Sequence, residues 1–145
     1  MKTNLDSTYI RMANMMAENS KAVRSKVGAI LVTSHGVILP GYNGTVRGLD
    51  NVCENEVNGV LVTKPEVIHA ELNCILKAAK EGISIVDSTV YITLSPCMQC
   101  SAMIAQSGIK RVVFLHKYRD TAGIDFLHKA GVSVEHINID GNARS

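Results

Sequence analysis

Two short motifs constrain the fold of this chain more than any other feature. His69-Ala70-Glu71 supplies an imidazole and a carboxylate, and Pro96-Cys97-Met98-Gln99-Cys100 supplies two thiols. If His69, Cys97 and Cys100 bind one zinc ion, two distant segments must meet at one point. A structural zinc site has four protein ligands, whereas a catalytic site keeps one position open for water. The absence of a fourth ligand in the motifs therefore favours catalysis, with Glu71 close by to move a proton.

The predicted secondary structure places both motifs at the starts of helices. Helical composition runs from His69 to Lys80, and Pro96 opens a second helix from about Cys97 to Gln106. Cys97 and Cys100 are three residues apart and therefore share one helix face. Both helix N-termini would point at a shared spot, where their positive dipole ends favour thiolates.

The rest of the pattern alternates strands with short helices and predicts an α/β fold. This alternation favours a largely parallel sheet that is covered on both faces, although Gly36 predicts a hairpin between the first two strands. Residues 43–66 are polar without a clear period, so we expect a long functional loop there. The other predicted elements are helices Leu5–Asn19, with an N-cap at Asn4, and Thr121–Ala130, and strands Val27–Val32, Val37–Tyr42, Thr89–Leu94, Arg111–Leu115 and Val132–Ile137.

Composition excludes several classes of protein. A chain of 145 residues with 46% apolar content suits one folded domain, which we assign to residues 1–140, with 141–145 as a frayed tail. The net charge of +2, the absence of Trp and the presence of only two Phe disfavour a nucleic-acid partner. Without an apolar leader or a membrane-length apolar run, we expect a soluble, cytoplasmic protein and no membrane partner. Cys74 is predicted to be a small buried residue, and Cys53 has no assignment.

Several separated pieces make the chain similar to the deoxycytidylate (dCMP) deaminase family. The order His-x-Glu then Pro-Cys-x-x-Cys is typical of zinc nucleobase deaminases as a superfamily. Gly41-Tyr42-Asn43-Gly44 and His69-Ala70-Glu71-Leu72-Asn73 narrow the resemblance, and Ser25-Lys26-Val27-Gly28-Ala29 and Ala79-Lys80-Glu81-Gly82-Ile83-Ser84 extend it. The resemblance covers nearly the whole chain. It implies a three-layer α/β/α cytidine-deaminase-like fold with a central five-stranded mixed sheet.

The resemblance also implies an activity and its control. The activity is zinc-dependent hydrolysis of dCMP to dUMP and ammonia, which supplies dUMP for dTMP synthesis. Many members are homo-oligomers, often hexamers, that dCTP activates and dTTP inhibits, with Mg²⁺ accompanying these triphosphates. The regulatory nucleotide would bind beside the loop from Val46 to Pro65. We expect no second, structural zinc site, because Cys53 is the only cysteine in this insert.

By the same resemblance, His69, Cys97 and Cys100 would bind the zinc ion and Glu71 would carry protons. Asn43 would bind the deoxyribose hydroxyl, since its amide both donates and accepts hydrogen bonds. The alternative for Asn43 is a simple turn residue, because Asn-Gly is a common hairpin signal.

Arg24 would bind the 5′-phosphate, to which a guanidinium fork is suited; the alternative is a solvated surface charge. Ala70 and Ser95 would make backbone contacts with the base. Tyr118 and Arg119 match a segment that closes over the substrate in the family.

Two other functions use some of the same features. A tRNA-editing adenosine deaminase shares the zinc chemistry, but the small net charge and few aromatic residues disfavour it. A catalytically silent module that senses dCTP or dTTP would not need Glu71.

Overall fold

The computed structural model describes residues 5–144 of the chain. Within them the elements are α1 Asp6–Ala17, β1 Gly28–Val32, β2 Ile38–Tyr42, β3 Glu54–Val57, β4 Val60–Thr63, α2 Ala70–Glu81, β5 Thr89–Leu94, α3 Met98–Gln106, β6 Arg111–His116, α4 Ala122–Lys129 and β7 Ser133–His136. The predicted helices and strands are confirmed to within a few residues at each end. The predicted N-cap at Asn4 lies outside the described residues.

The central sheet has the order β2-β1-β5-β6-β7. Strands β2, β1 and β5 pair antiparallel, whereas β5, β6 and β7 pair parallel. The predicted five-stranded mixed sheet is therefore confirmed. Strands β2, β5, β6 and β7 run in one direction and only β1 is reversed, as the expectation of a largely parallel sheet requires. A tight turn with Gly36 at φ +85° joins β1 to β2 as a hairpin, while α3 and α4 provide the crossovers that make the later strands parallel.

Alternation along the strands divides the core into two apolar layers. On one face, Ile30, Tyr91 and Val113 pack with Ile10 and Ala13 of α1. The opposite face packs against α2, α3 and α4 through a cluster that includes Leu31, Val90, Ile92, Val112, Cys74, Ala78, Ile104 and Leu127. The three-layer α/β/α arrangement and the burial of Cys74 are both confirmed.

The segment predicted as a long loop contains a second sheet, the hairpin β3–β4. Its turn residues Asn58 and Gly59 both have positive φ, at 52° and 78°, as a two-residue type I′ turn requires. The prediction of a structureless loop is therefore wrong for residues 54–63. Most of the hairpin's side chains are exposed. The hairpin therefore shows neither the alternation of buried and exposed residues nor the continuous buried run that usually identifies a strand.

The C-terminal residues 141–144 are held against the sheet, and the prediction of a frayed tail is wrong for them. Ala143 forms a bridge with Ile137, and the Arg144 guanidinium donates to the Leu115 carbonyl at 2.7 Å. Within residues 5–144, no helix has the length and apolar character needed to cross a membrane. The assignment of residues 1–140 to a single domain stays a prediction.

Candidate active site

The start of α2 is held by a close contact with β2. A Cβ atom added at Gly41 would lie 2.6 Å from the Ala70 carbonyl oxygen and 2.9 Å from Cys74 Sγ. Only glycine therefore allows the strand to approach the first turn of this helix so closely. Ile68 and Gly44 exchange backbone hydrogen bonds just before the helix. Together these contacts fix His69, the N-cap of α2, against the sheet.

The start of α3 brings two thiols to the same place. Cys97 is the N-cap of α3, and its sulfur accepts from the Cys100 N–H at 3.5 Å. His69 Nδ1 lies 3.1 Å from Cys100 Sγ and 3.7 Å from Cys97 Sγ. All three ligand atoms lie within 4.8 Å of one another. Tetrahedral zinc with its usual bond lengths separates nitrogen and sulfur ligands by about 3.6 Å, so these atoms fit one zinc ion.

The pKa values of His69, Cys97 and Cys100 are shifted by the contacts among these three side chains. Hydrogen bonds from Cys100 and His69 lower the pKa of the Cys97 thiol to about 4. The bond that Cys100 makes to Cys97, together with burial, raises the pKa of Cys100. A hydrogen bond with Cys97 raises the pKa of His69. Zinc ligands bind as thiolates and neutral imidazole, so metal binding at this site would release protons.

Glu71 lies in the first turn of α2 and is almost completely buried, with 3% of its surface exposed. Burial raises the pKa of its carboxyl group to about 7, although the nearby His69 charge acts in the opposite direction. A carboxyl group of this kind can both accept and release a proton near neutral pH. A cation bound at the three ligand atoms would lower this pKa, because it favours the carboxylate.

One cavity of about 580 Å³ joins most of the predicted site residues. Those that line it are Arg24, Asn43, His69, Ala70, Glu71, Ser95, Cys97, Tyr118 and Arg119. The remaining predicted residue, Cys100, is buried beside Cys97 and does not line the cavity. A volume of this size is typical of small-molecule sites and is sufficient for one nucleotide.

Asn43 lines the cavity and also makes hydrogen bonds within the protein. Its amide oxygen accepts from the Val27 N–H at 2.9 Å, and its amide nitrogen donates to the Ser25 carbonyl at 2.9 Å. The side chain thus fastens the segment before β1 while it lines the cavity. The amide keeps a second N–H and a second lone pair with which to meet a substrate hydroxyl.

Comparison with known proteins assigns the chain to a family. The family described as the cytidine and deoxycytidylate deaminase zinc-binding region matches residues 3–116. The chain belongs to this family. The prediction of a deaminase, a hydrolytic enzyme, is confirmed, and the family's zinc-binding character agrees with the three clustered ligand atoms.

Three relatives of this deaminase match along three quarters or more of their own length. The deoxycytidylate deaminase of Enterobacteria phage T4 is 34% identical, over 88% of this chain and 87% of its own. The human deoxycytidylate deaminase is 36% identical, over 86% and 75% respectively. The dCMP deaminase of cyanophage S-TIM5, crystallised with dCMP and dUMP, is 45% identical with a TM-score of 0.86, covering 94% of this chain and 99% of that one.

The deaminase uses Ser95 to position the wall that follows β6. Ser95 Oγ accepts from the Tyr118 N–H at 2.7 Å, and the Ser95 N–H donates to the His116 carbonyl at 2.9 Å. A backbone contact from Ser95 to a base would therefore have to use its carbonyl oxygen. Ala70, the first residue of α2, has a backbone N–H without an intrahelical partner. Tyr118 and Arg119 are exposed residues of the cavity wall.

The cavity wall of the deaminase includes residues that sequence reasoning missed. Glu54 and Thr63 come from the β3–β4 hairpin, and exposed Lys117 adds a third basic side chain to Arg24 and Arg119. No periodicity distinguishes Glu54 or Thr63 in the sequence. The pair Asn58-Gly59 is the signal that could have predicted the hairpin and placed these two residues opposite each other.

Proposed function

We propose that this deaminase converts dCMP to dUMP with release of ammonia. The observation that carries this proposal is the single cavity, which is lined by two of the three metal-ligand residues, the buried carboxyl group of Glu71, Asn43 and Arg24. One nucleotide could meet all of these groups at once. The S-TIM5 relative, which is crystallised with dCMP and dUMP, supports the choice of substrate.

His69, Cys97 and Cys100 would hold one zinc ion. In a site with three protein ligands, zinc acts as a Lewis acid and lowers the pKa of water. The other steps belong to the side chains of the chain itself.

Glu71 would carry both protons of the reaction. It accepts a proton from the attacking water and gives it to the ring nitrogen next to the amine-bearing carbon. The water oxygen bonds to that carbon. Glu71 then takes the second water proton and delivers it to the amine, and the carbon–nitrogen bond breaks with loss of ammonia. The water oxygen remains as the new carbonyl of dUMP, so atoms and charge balance.

The remaining predicted residues would hold the substrate. Backbone groups of Ala70 and Ser95 contact the base, and Asn43 binds the deoxyribose hydroxyl. Arg24 binds the 5′-phosphate through its guanidinium fork. Tyr118 and Arg119 cover the open side once the nucleotide is bound.

A substrate panel tests this proposal. Zinc-loaded protein is given dCMP, CMP, dCTP, deoxycytidine and a tRNA, and ammonia release is measured. We expect the highest kcat/KM for dCMP. No ammonia from dCMP, with or without added dCTP, would contradict the proposal, and inosine in the tRNA would indicate the adenosine deaminase alternative instead.

Regulation by dCTP as activator and dTTP as inhibitor is part of the proposal. A second cavity, of about 540 Å³, lies beside Gly41-Tyr42-Asn43-Gly44 and includes the basic side chains of Lys21, Arg47 and Lys77. These charges suit a triphosphate, with Mg²⁺ accompanying it. Asn43 and Cys53 line both cavities, so they could connect effector binding to the substrate site. Initial rates against dCMP, measured with each effector and Mg²⁺, test this regulation.

We also propose that the deaminase forms a homo-oligomer, as a hexamer, and works inside the cell, where its product dUMP supplies dTMP synthesis. Light scattering on the zinc-loaded protein measures the assembly. A mass equal to one chain across the tested concentrations would contradict the oligomer.

A further inference from the structure

The β3–β4 hairpin contacts the segment before β1 through one buried carboxylate. Glu54 is 8% exposed, and its Oε2 accepts from the backbone N–H of Val23 at 2.8 Å and of Arg24 at 3.1 Å. Residues 21–27 contain no helix or strand, so they have no regular backbone pairing of their own. Hydrogen bonds from two consecutive N–H groups to a carboxylate are charge-assisted and therefore strong. Glu54 thus fixes the main chain from which the Arg24 side chain extends.

The other half of the hairpin contacts the far end of the same side chain. Thr63 is the cross-strand partner of Glu54, and its Oγ1 accepts from Arg24 Nη1 at 3.0 Å. One cross-strand pair therefore fixes Arg24 at its backbone and at its guanidinium. Arg24 is otherwise an exposed, long side chain, and such side chains lose considerable rotamer entropy when they bind a ligand in one geometry.

We propose that Glu54 and Thr63 are positioning residues that hold Arg24 ready for the 5′-phosphate. The proposal rests on the proposed function, because it assumes that Arg24 meets the phosphate of dCMP. Thr63 uses one of the five N–H donors of the guanidinium, so the rest of the fork can face the phosphate. The hairpin would then set the preference of the enzyme for a nucleotide over the nucleoside deoxycytidine, without touching the reacting base.

The first test compares Thr63→Val with Thr63→Ser in zinc-loaded protein. The readout is the ratio of kcat/KM for dCMP to kcat/KM for deoxycytidine. Valine lacks the acceptor, so we expect this ratio to fall about tenfold, mainly through KM for dCMP. Serine keeps the hydroxyl group and should restore most of the ratio.

A double-mutant cycle tests whether the effect passes through Arg24. Arg24→Met should lower the ratio further than Thr63→Val does. In the Arg24→Met background, Thr63→Val should have no additional effect. A further fall in the doubly substituted protein would overturn the proposed route through Arg24.

Glu54 has a matched control on its own strand. Glu54→Gln weakens the acceptor and should lower the ratio, whereas Glu56→Gln should not. Glu56 is exposed, and no hydrogen bond from it to residues 21–27 is present in the described part of the chain. Circular dichroism melting curves show whether each variant is folded.

Three further outcomes would overturn the proposal, and they are distinguishable. A ratio at the wild-type value in Thr63→Val and Glu54→Gln, with a lowered ratio in Arg24→Met, removes the positioning role alone. A wild-type ratio in Arg24→Met also removes the phosphate role of Arg24. If wild-type protein does not deaminate dCMP, the phosphate preference can still be measured by binding. Calorimetry on zinc-loaded Glu71→Gln protein then gives the ratio of the affinities for dUMP and deoxyuridine. If Thr63→Val leaves this affinity ratio unchanged, the positioning role is overturned.

Discussion

Glu71 is the residue on which the proposed chemistry depends most, because it is the buried carboxyl group in the cavity next to the ligand atoms. Glu71→Gln keeps the shape of the side chain but cannot carry a proton. General acid–base catalysis contributes about 10² to 10⁴ in rate. We therefore expect kcat for dCMP to fall about a thousandfold with zinc content unchanged. The control is Glu81→Gln, at the exposed end of the same helix. Turnover of Glu71→Gln near the wild-type rate would show that Glu71 is not the proton carrier.

A substitution at Cys97 tests the assignment of this residue as a zinc ligand. Cys97→Ser replaces a low-pKa thiol with a hydroxyl group that binds zinc poorly, so zinc content and melting temperature should both fall. Cys74→Ala is the matched control. Cys74 is fully buried in the apolar core, so removing its sulfur leaves a cavity and should lower stability while zinc binding is retained. Zinc is measured by mass spectrometry after dialysis. A full zinc ion per chain in Cys97→Ser would contradict the ligand assignment.

At the scale of elements, the close approach of β2 to α2 holds the site in place. Gly41→Ala would force the added Cβ to within 2.6 Å of the Ala70 carbonyl oxygen. The helix would have to move, at a cost of about 1–3 kcal/mol. His69 lies just before the displaced turn and Glu71 lies within it. We therefore expect kcat/KM to fall together with the free energy of unfolding.

The control for this prediction is Gly44→Ala. Apart from its chain neighbours, no atom of residues 5–144 lies within 4 Å of a Cβ added at Gly44, so the stability of this variant should change much less. Urea denaturation of the two variants makes the comparison. Equal stability of Gly41→Ala and the wild type would show that β2 and α2 can move apart freely.

The elements also differ in how well the sequence predicted them. Helices α2 and α3 were predicted nearly to the residue, because caps, Pro96 and Gly82 all agree with their apolar periods. The β3–β4 hairpin was missed, because its side chains are mostly exposed and hydrophobic periodicity reports burial. The pair Asn58-Gly59, which is typical of two-residue hairpin turns, is the local feature of the sequence that predicts this hairpin.

At the scale of the whole molecule, Arg111 joins the first helix to the last strands. Its guanidinium donates twice to fully buried Asp6 of α1, at 2.9 and 2.7 Å, and twice to Glu135 of β7. Removing one partner of a buried ion pair leaves an uncompensated charge and costs about 3–5 kcal/mol. Arg111→Met should therefore lower the free energy of unfolding by several kcal/mol, measured in urea.

An exposed ion pair provides the comparison. Arg11 and Asp140 lie 2.8 Å apart with side chains 53% and 67% exposed. Exposed pairs contribute about 0–1 kcal/mol, so Arg11→Met should change stability little. A loss in Arg111→Met as small as that in Arg11→Met would mean that the buried network does not stabilise the fold.

The same network predicts a dependence of stability on pH. Hydrogen bonds from Arg111 hold the pKa of Glu135 below its usual range, against the effect of burial. A lowered folded-state pKa contributes stability above the unfolded pKa of about 4.3, and this contribution is lost as pH falls through the folded value. Glu135→Gln should therefore destabilise the protein at pH 7 and progressively less below about pH 5. Urea titrations of both proteins across this range make the measurement, and a difference that grows in acid would contradict the prediction.

The sequence by itself determined the family to which the chain belongs and the types of the three clustered ligand residues, and it predicts Glu71 as the proton carrier. Those features depend on residue identity at short spacing, so local pattern is sufficient to read them. It also predicted most helices and strands, because each helix buries one regular face and β1, β5 and β6 are continuous buried apolar runs.

Only the tertiary structure decided which side chains meet in the cavity. The contacts of Glu54 and Thr63 with Arg24 join residues 30 and 39 positions apart, across a hairpin with no burial period. The docking of residues 141–144 likewise depends on contacts that no local segment specifies. Long-range contacts of this kind are set by the packing of the whole chain, because a local pattern shows that a face will be buried without naming its partner.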